Sequence, residues 1–170
     1  MLSRAQGCLL GLVAGDSLGA LVEFQSAGTI VGAHPGGVRD LADGGAWRLL
    51  GGQPTDDSEM ALALARAIVA QGRYASEAAA AAYVAWLRSP AFDVGGTTRQ
   101  ALGAVRHDDL RDGRAAQVAA GAANAESQAN GSLMRIAPLG VWGAGRSDDE
   151  VADAARADAA LTHPHPVCLD

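Results

Sequence analysis

The stretch Pro54-Thr55-Asp56-Asp57-Ser58-Glu59, followed by Met60-Ala61-Leu62-Ala63-Leu64, takes the chain from a glycine-rich loop into an apolar helix. Thr55 suits the N-cap position, and the acidic side chains after it lie in the first turn, where the helix dipole favours negative charge. Apolar residues continue at helical spacing, and Gly72 follows as a stop signal. The stretch therefore predicts a helix from Asp57 to Gln71.

The same stretch has a second interpretation. The hydroxyl oxygen of Thr55 and the carboxylates of Asp56 and Asp57 form an all-oxygen cluster, the ligand type that suits a hard cation such as Mg²⁺ or Mn²⁺. The local sequence leaves helix capping and cation binding both open.

Composition indicates one helical domain. Of the 170 residues, 49% are hydrophobic but only 4% are aromatic, so the core must be built from alanine, leucine and valine. An alanine-rich sequence with few β-branched residues favours close-packed helices. We expect an all-α fold of five to seven helices in a single domain over residues 1–170, without strands or internal repeats.

Helix signals recur along the chain. Capping residues, alanine runs and glycine or proline stops predict further helices: one that begins at Arg4 behind a Ser3–Gln6 capping box, and others over residues 77–88 behind Ser76, 99–107, part of 108–128, from about 133, and 148–161 behind Ser147. Between the first helix and Pro54 the chain is rich in glycine. Residues 23–54 are therefore predicted to form a long irregular loop of the kind that often carries function.

Charge and cysteine usage limit the class of protein. The net charge is -6, the pI is near 5.1, and basic residues do not cluster, which argues against a nucleic-acid or anionic-membrane partner. Cys8 and Cys168 have neither disulfide nor zinc spacing, so we expect free, buried thiols in a reducing cytosol. The N-terminal apolar run is interrupted by glycines and by Asp16, unlike a secretory signal. The predicted location is cytoplasmic.

Two further loops carry candidate binding residues. The turn Asn130-Gly131-Ser132, ahead of an apolar helix, favours either anion binding through backbone N–H groups or a simple helix cap. His163 and His165, which alternate with prolines, weakly indicate a metal and would line a stiff loop.

The first helix contains a charge among apolar and small residues. Gly7 and Gly11 predict close packing against another helix, because glycine lets backbones approach. Asp16 has three open roles: it could cap a helix, pair with a base or hold a neighbouring loop.

Several of these segments together resemble the ADP-ribosylglycohydrolase family. The segments are Gly15-Asp16-Ser17-Leu18-Gly19 with Glu23-Phe24, Thr55-Asp56-Asp57-Ser58, Asp93-Val94-Gly95-Gly96-Thr97-Thr98, Asn130-Gly131-Ser132-Leu133-Met134-Arg135, and Thr162-His163. The resemblance implies an orthogonal multi-helical fold with a binuclear Mg²⁺ or Mn²⁺ centre. It also implies hydrolysis of the glycosidic bond that joins ADP-ribose to a protein side chain or a small-molecule acceptor.

The resemblance assigns roles to particular residues. Thr55, Asp56 and Asp57 match the family's N-terminal metal ligands, and Glu23 matches an acidic residue on a mobile loop near the metals. We expect Glu23 or Asp57 to be the base that activates water. A separate set matches substrate-binding positions: Asp93, Asn130, Gly131, Ser132 and His163.

The chain departs from the family pattern in two places. Gly96 stands at a position where the family often has asparagine. The family's C-terminal Asp-x-Asp metal motif has no counterpart before Asp170. The resemblance therefore covers about the first half of a family-length domain. The alternatives are a catalytically silent ADP-ribose-binding or structural homologue, and a segment of a larger enzyme. A truncated domain would also leave apolar faces exposed, which predicts self-association.

Overall fold

The chain is built from helices. A computed structural model describes residues 2–170, and within them it contains one 3-10 turn (Asn130–Ser132), no strand, and ten α-helices: α1 (Leu2–Gly19), α2 (Ala27–Ala33), α3 (Asp56–Gln71), α4 (Ser76–Leu87), α5 (Gly96–Gly103), α6 (His107–Arg111), α7 (Ala115–Ala122), α8 (Ala137–Trp142), α9 (Asp148–Ala160) and α10 (Pro166–Leu169). The all-α prediction is confirmed. The expected five to seven helices were too few, because helices of one or two turns are too short to show a hydrophobic period.

The described residues divide into two compact units. The first ends at Ser58, and the second runs from Glu59 to Asp170, so the boundary lies in the first turn of α3. The single domain expected over residues 1–170 stays a prediction.

In the first unit, the C-terminal end of α1 contacts the glycine-rich loop. Ser17, which is buried, donates a hydrogen bond from Oγ to the carbonyl oxygen of Gly52 at 3.2 Å. Gly45 has a φ of +72°, and a Cβ there would lie 2.2 Å from the carbonyl oxygen of Ala20. A backbone oxygen cannot move aside as a flexible side chain does, so this turn requires glycine at position 45.

Three expectations for the first unit are wrong. The helix α1 includes Ser3, which is therefore not its cap. A Cβ at Gly7 or Gly11 would meet no heavy atom of the described residues within 4 Å, so no helix packs closely there. The long loop is interrupted by α2, whose N-cap Ser26 accepts a hydrogen bond from the backbone N–H of Thr29 at 3.1 Å.

The second unit holds a continuous apolar core made mainly of aliphatic and alanine side chains. Its fully buried members come from α3 after its first turn and from the helices that follow. They include Met60, Leu64, Ala80, Tyr83, Leu102, Ala115, Ala119 and Leu139. Burial of a leucine- or methionine-sized side chain contributes about 1.5–3 kcal/mol. Val94 and Met134, which pack against this core, lie close in sequence to the candidate site residues Asp93 and Ser132 of the same unit.

Several predicted helix boundaries shift in the second unit. Ser76 lies inside α4 rather than capping it, and α5 begins at Gly96, three residues before the predicted start. Residues 133–136 form turns, and α8 begins only at Ala137. The cap of α9 is confirmed, since Ser147 Oγ accepts a hydrogen bond from the N–H of Glu150 at 3.3 Å.

An open groove of about 770 Å³ runs between α3 and α4. Alanines of both helices line most of it, and at one end Trp86 Nε1 donates to Glu59 Oε2 at 2.6 Å. The lining described for this groove includes none of the predicted site residues.

Cys8 is exposed and Cys168 is half-buried, and neither forms a disulfide within the described residues, so the expected burial of Cys8 is wrong. Within residues 2–170, every helix is too short or too polar to cross a membrane.

Candidate functional site

The start of α3 is organised by Asp16, which lies 39 residues before Thr55. The carboxylate accepts hydrogen bonds from the backbone N–H of Thr55 (2.9 Å) and of Ser58 (3.1 Å). It also accepts from Thr55 Oγ1 (2.6 Å) and Ser58 Oγ (2.5 Å). The oxygen that accepts from the third helical N–H of α3 therefore comes from Asp16, while Thr55 stands at the N-cap position directly before Asp56. Of the three roles left open for Asp16, two are observed: it caps α3 and it holds Thr55, the last residue of the preceding loop.

The predicted metal ligands follow directly in the sequence. Thr55 and Asp56 are buried, and Asp57 is half-buried. Both aspartates interact with other groups of the protein. Because the Thr55 hydroxyl gives its hydrogen to Asp16, its oxygen keeps lone pairs that can bind a cation.

These residues fit part of a hard-cation site. Mg²⁺ is commonly held by one or two carboxylates together with water and substrate phosphates, so a threonine hydroxyl and two carboxylates match its chemistry. Among residues 2–170, no three histidine, cysteine, aspartate or glutamate side chains gather closely enough to hold a metal ion. The donor set in this chain is thus all-oxygen and partial.

Glu23 lies half-buried in the turns that follow α1. The next residue, Phe24, has a φ of +63° and is 78% exposed. A bulky residue in the left-handed region is strained, and such strain is often concentrated at functional segments. The backbone turn therefore fixes the direction of the chain immediately after the predicted catalytic carboxylate.

In the second unit, the structure brings Gly131 and His163 together. A Cβ at Gly131 would lie 2.6 Å from His163 Cε1, 3.0 Å from His163 Nε2 and 3.1 Å from Thr98 Oγ1. The imidazole ring therefore packs directly on the backbone of the Asn130–Ser132 turn, and only glycine leaves it room. Two residues that the sequence predicted separately thus form one contact.

The buried ion pair of Arg135 and Asp158 contacts the same turn, through the carbonyl oxygen of Gly131. Arg135 Nε donates to Asp158 Oδ2 at 2.9 Å, and neither side chain is exposed to solvent. Tyr83 donates from its hydroxyl to Asp158 Oδ1 at 2.9 Å, and the guanidinium of Arg135 lies 4.4 Å from the Tyr83 ring centroid. Burial, followed by the charge of Asp158, raises the pKa of Tyr83 well above its usual value. The phenol therefore acts as a fixed hydrogen-bond donor.

His163 is connected to the ion pair through Thr162. Arg135 Nη1 donates to Thr162 Oγ1 at 3.0 Å, and Thr162 Oγ1 lies 2.8 Å from His163 Nδ1. Burial and, after it, the positive charge of Arg135 lower the pKa of His163 to about 4. The ring is therefore neutral at pH 7.

The remaining predicted residues lie in loops of the second unit. Asn130 is exposed and Ser132 is buried in the same 3-10 turn. No α-helix begins directly after that turn, so the prediction of an anion-binding site at the N-terminus of a helix is wrong there. The turn itself is present, and two of its residues are buried. Asp93 is half-buried in the loop before α5, the helix that carries Thr98.

The sequence interpretation missed Arg135 and Asp158 as site-supporting residues. A signal was present in both cases. Each is a charge within an apolar or alanine-rich segment, and such a charge is buried only when paired.

Comparison with known proteins then settles the family. A family model described as ADP-ribosylglycohydrolase matches residues 1–170. The chain belongs to the ADP-ribosylglycohydrolase family. The resemblance inferred from the motifs is thereby confirmed.

Relatives within the ADP-ribosylglycohydrolase family are similar over much of the chain. ADP-ribosyl-[dinitrogen reductase] glycohydrolase of Rhodospirillum rubrum is 36% identical over 165 residues, which cover 96% of this chain and 52% of that protein. ADP-ribosylarginine hydrolase Tri1 of Pseudomonas putida (strain GB-1) is 37% identical over 148 residues, which cover 83% of this chain and 36% of that protein. The chain thus spans about half or less of the length of these relatives.

A solved structure named ADP-ribosylglycohydrolase-related protein complex has the same fold. It superimposes with a TM-score of 0.75 at 34% identity, covering 98% of this chain and 51% of the solved one.

Proposed function

We propose that this chain serves in the metal-dependent hydrolytic removal of ADP-ribose from modified protein side chains. The observation that carries the proposal is the start of α3. There Thr55, with its hydroxyl hydrogen given to Asp16, is followed in the sequence by Asp56 and Asp57, and these three residues would supply an oxygen-only donor set. Family membership supports the same chemistry. The names of two relatives point to protein-bound ADP-ribose, and one of them specifies an arginine acceptor.

The first unit would supply the reacting carboxylates. A bound Mg²⁺ or Mn²⁺ would orient ribose hydroxyls and stabilise developing charge. Glu23 or Asp57 would take a proton from a water molecule while the oxygen of that water bonds to the anomeric carbon of the ribose. The bond from that carbon to the acceptor nitrogen or oxygen would break in the same step, and the acceptor would leave with a proton, so that the elements of water are divided between the two products. Such a reaction passes through an oxocarbenium-like state, which a nearby carboxylate favours.

The second unit would supply neutral hydrogen-bonding groups. The resemblance assigns the phosphates and ribose to the Asn130–Ser132 turn, and it assigns His163, which packs on that turn, to a wall of the substrate site. A neutral His163 would donate or accept a hydrogen bond without adding charge. Asp93, in the loop before α5, is assigned to substrate binding by the same resemblance.

The test is the release of free ADP-ribose from a protein that carries it on arginine, measured by chromatography with Mg²⁺ present. We expect chelation to abolish release, and Asp57→Asn or Glu23→Gln to lower it by about 10²–10⁴-fold, the usual contribution of a general base. Asp149→Asn, in the exposed first turn of α9, is the matched control and should keep wild-type release. Full turnover in both Asp57→Asn and Glu23→Gln would contradict the assigned base.

A second candidate is an ADP-ribose-binding homologue without turnover. The partial donor set favours it, since no three metal-ligating side chains cluster within residues 2–170. Calorimetric titration with ADP-ribose, with and without Mg²⁺, distinguishes the two. Mg²⁺-dependent binding without release of ADP-ribose from the modified protein supports the second candidate.

A further inference from the structure

Asp16 makes more contacts with the start of α3 than a helix cap requires. An N-cap side chain ordinarily accepts one hydrogen bond from the N–H of the second or third helical residue. Asp16 accepts four, from the backbone and side chain of Thr55 and from the backbone and side chain of Ser58. Its carboxylate is half-buried, and its partners are buried.

The hydrogen bonds to Asp16 determine which part of the Thr55 hydroxyl is available to a ligand. In the usual geometry, the oxygen of an N-cap threonine would face the N–H of Ser58. Asp16 Oδ2 takes that N–H at 3.1 Å, and Asp16 Oδ1 accepts the Thr55 hydroxyl hydrogen at 2.6 Å. A hydroxyl has one hydrogen and two lone pairs. With its hydrogen held by Asp16, and with the N–H of Ser58 bonded to Asp16 as well, the Thr55 oxygen has a lone pair to offer another partner.

We propose that Asp16 is a positioning residue that acts through Thr55, holding the hydroxyl so that a lone pair of Oγ1 is presented to a divalent cation. This inference rests on the proposed function. Groups that orient a metal ligand by hydrogen bonding typically change metal affinity 10–100-fold when they are removed. A purely structural cap would change stability without a specific loss of affinity.

Mn²⁺ binding by the whole chain, measured by calorimetry without substrate, tests the proposal. We expect Asp16→Asn to weaken Mn²⁺ binding about 10–100-fold. Ser58→Ala is the matched control, because it removes one hydrogen bond to the same carboxylate and leaves the Thr55 hydroxyl untouched. It should weaken Mn²⁺ binding far less than Asp16→Asn does.

A double-mutant cycle separates action through Thr55 from a general loss of negative charge. In a Thr55→Val background, the ligand oxygen is absent, so adding Asp16→Asn should cost no further affinity. If the two losses multiply instead, Asp16 acts on its own and the proposal is overturned. Equal Mn²⁺ affinity for wild type and Asp16→Asn overturns it as well.

A measurement on the wild type covers the case in which Asp16→Asn fails to fold. The hydroxyl proton of Thr55, whose oxygen lies 2.6 Å from Asp16 Oδ1, should be visible by NMR and should stay hydrogen-bonded to Asp16 when Mg²⁺ is added. Its disappearance or reorientation on Mg²⁺ addition contradicts the proposal. Failure of the wild type to bind Mn²⁺ has a different meaning, since it overturns the cation site of the proposed function together with this inference.

Discussion

His163 is held as a neutral ring by its surroundings. Arg135 donates to Thr162 Oγ1, and the same hydroxyl forms a 2.8 Å hydrogen bond with His163 Nδ1 whose direction follows the tautomer of the ring. A neutral ring that accepts at Nδ1 carries its hydrogen on Nε2. Nε2 lies on the side of the ring that packs against Gly131. In that tautomer the ring presents a hydrogen-bond donor at the Asn130–Ser132 turn.

The pH dependence of stability tests this state of His163. An unfolded imidazole with the ordinary pKa of about 6.5 takes up a proton on acidification, whereas the folded ring does so only near pH 4. The contribution of His163 is therefore full above pH 6.5 and lost progressively towards pH 4, by at most about 3 kcal/mol. Urea unfolding at pH 7 and pH 4 should show a smaller stability loss for His163→Gln than for wild type.

His107→Gln, at an exposed position, controls for the loss of an imidazole as such. Equal stability losses in wild type and His163→Gln would contradict a neutral, buried His163.

The sequence indicated His163 as a candidate site residue but did not indicate the protonation state of its ring. The pKa of the ring is lowered first by burial and then by the charge of Arg135, which is 28 residues away in the chain. Likewise, the four hydrogen bonds of Asp16 join segments separated by 39 and 42 residues. Local patterns showed that Asp16 was out of place in an apolar helix, but they could not identify its partners.

At the level of elements, one ion pair connects three segments of the second unit. Arg135 lies after the 3-10 turn, Asp158 lies in the last turns of α9, and Tyr83 of α4 donates to the same carboxylate. Arg135 Nη1 also donates to the carbonyl oxygen of Gly131 at 3.3 Å. The ion pair therefore holds the Asn130–Ser132 turn against α9.

Removal of one partner should be costly. We expect Asp158→Asn to lower the free energy of unfolding by about 3–5 kcal/mol, because it leaves the Arg135 charge buried and uncompensated. Asp153→Asn in the same helix is the matched control, since its pair with Arg156 is solvent-exposed at 3.6 Å. We expect a change of at most about 0.5 kcal/mol there.

Urea denaturation measures both variants. Arg135→Met combined with Asp158→Leu should recover part of the loss, since an apolar pair leaves no charge behind. Similar losses in Asp158→Asn and Asp153→Asn would show that the buried pair has no structural role.

Helix prediction succeeded where the sequence signal was long. The α3 pattern spans about four turns and ends at Gly72, whose φ of +68° suits glycine, and α9 begins at a side-chain cap. Prediction failed for α2, which has only seven residues within a glycine-rich segment. Short helices depend on tertiary contacts more than on their own period, so local sequence specifies them weakly.

At the level of the whole molecule, the predicted site residues fall into two groups. Glu23 and the stretch Thr55–Asp57 belong to the first unit, whereas Asp93, the Asn130–Ser132 turn and His163 belong to the second. Large apolar side chains remain exposed in both units, such as Leu10 at 68% and Val69 at 81%. Self-association therefore stays a prediction for the chain.

The most direct test of the cation site is a crystal structure of the chain soaked in Mn²⁺, with anomalous scattering used to locate the metal. An oxygen-only site at the start of α3 predicts an anomalous peak in contact with Thr55 Oγ1 and a carboxylate of Asp56 or Asp57, with Asp16 still bonded to the Thr55 hydroxyl. An empty α3 start, or Mn²⁺ bound only elsewhere, would contradict it.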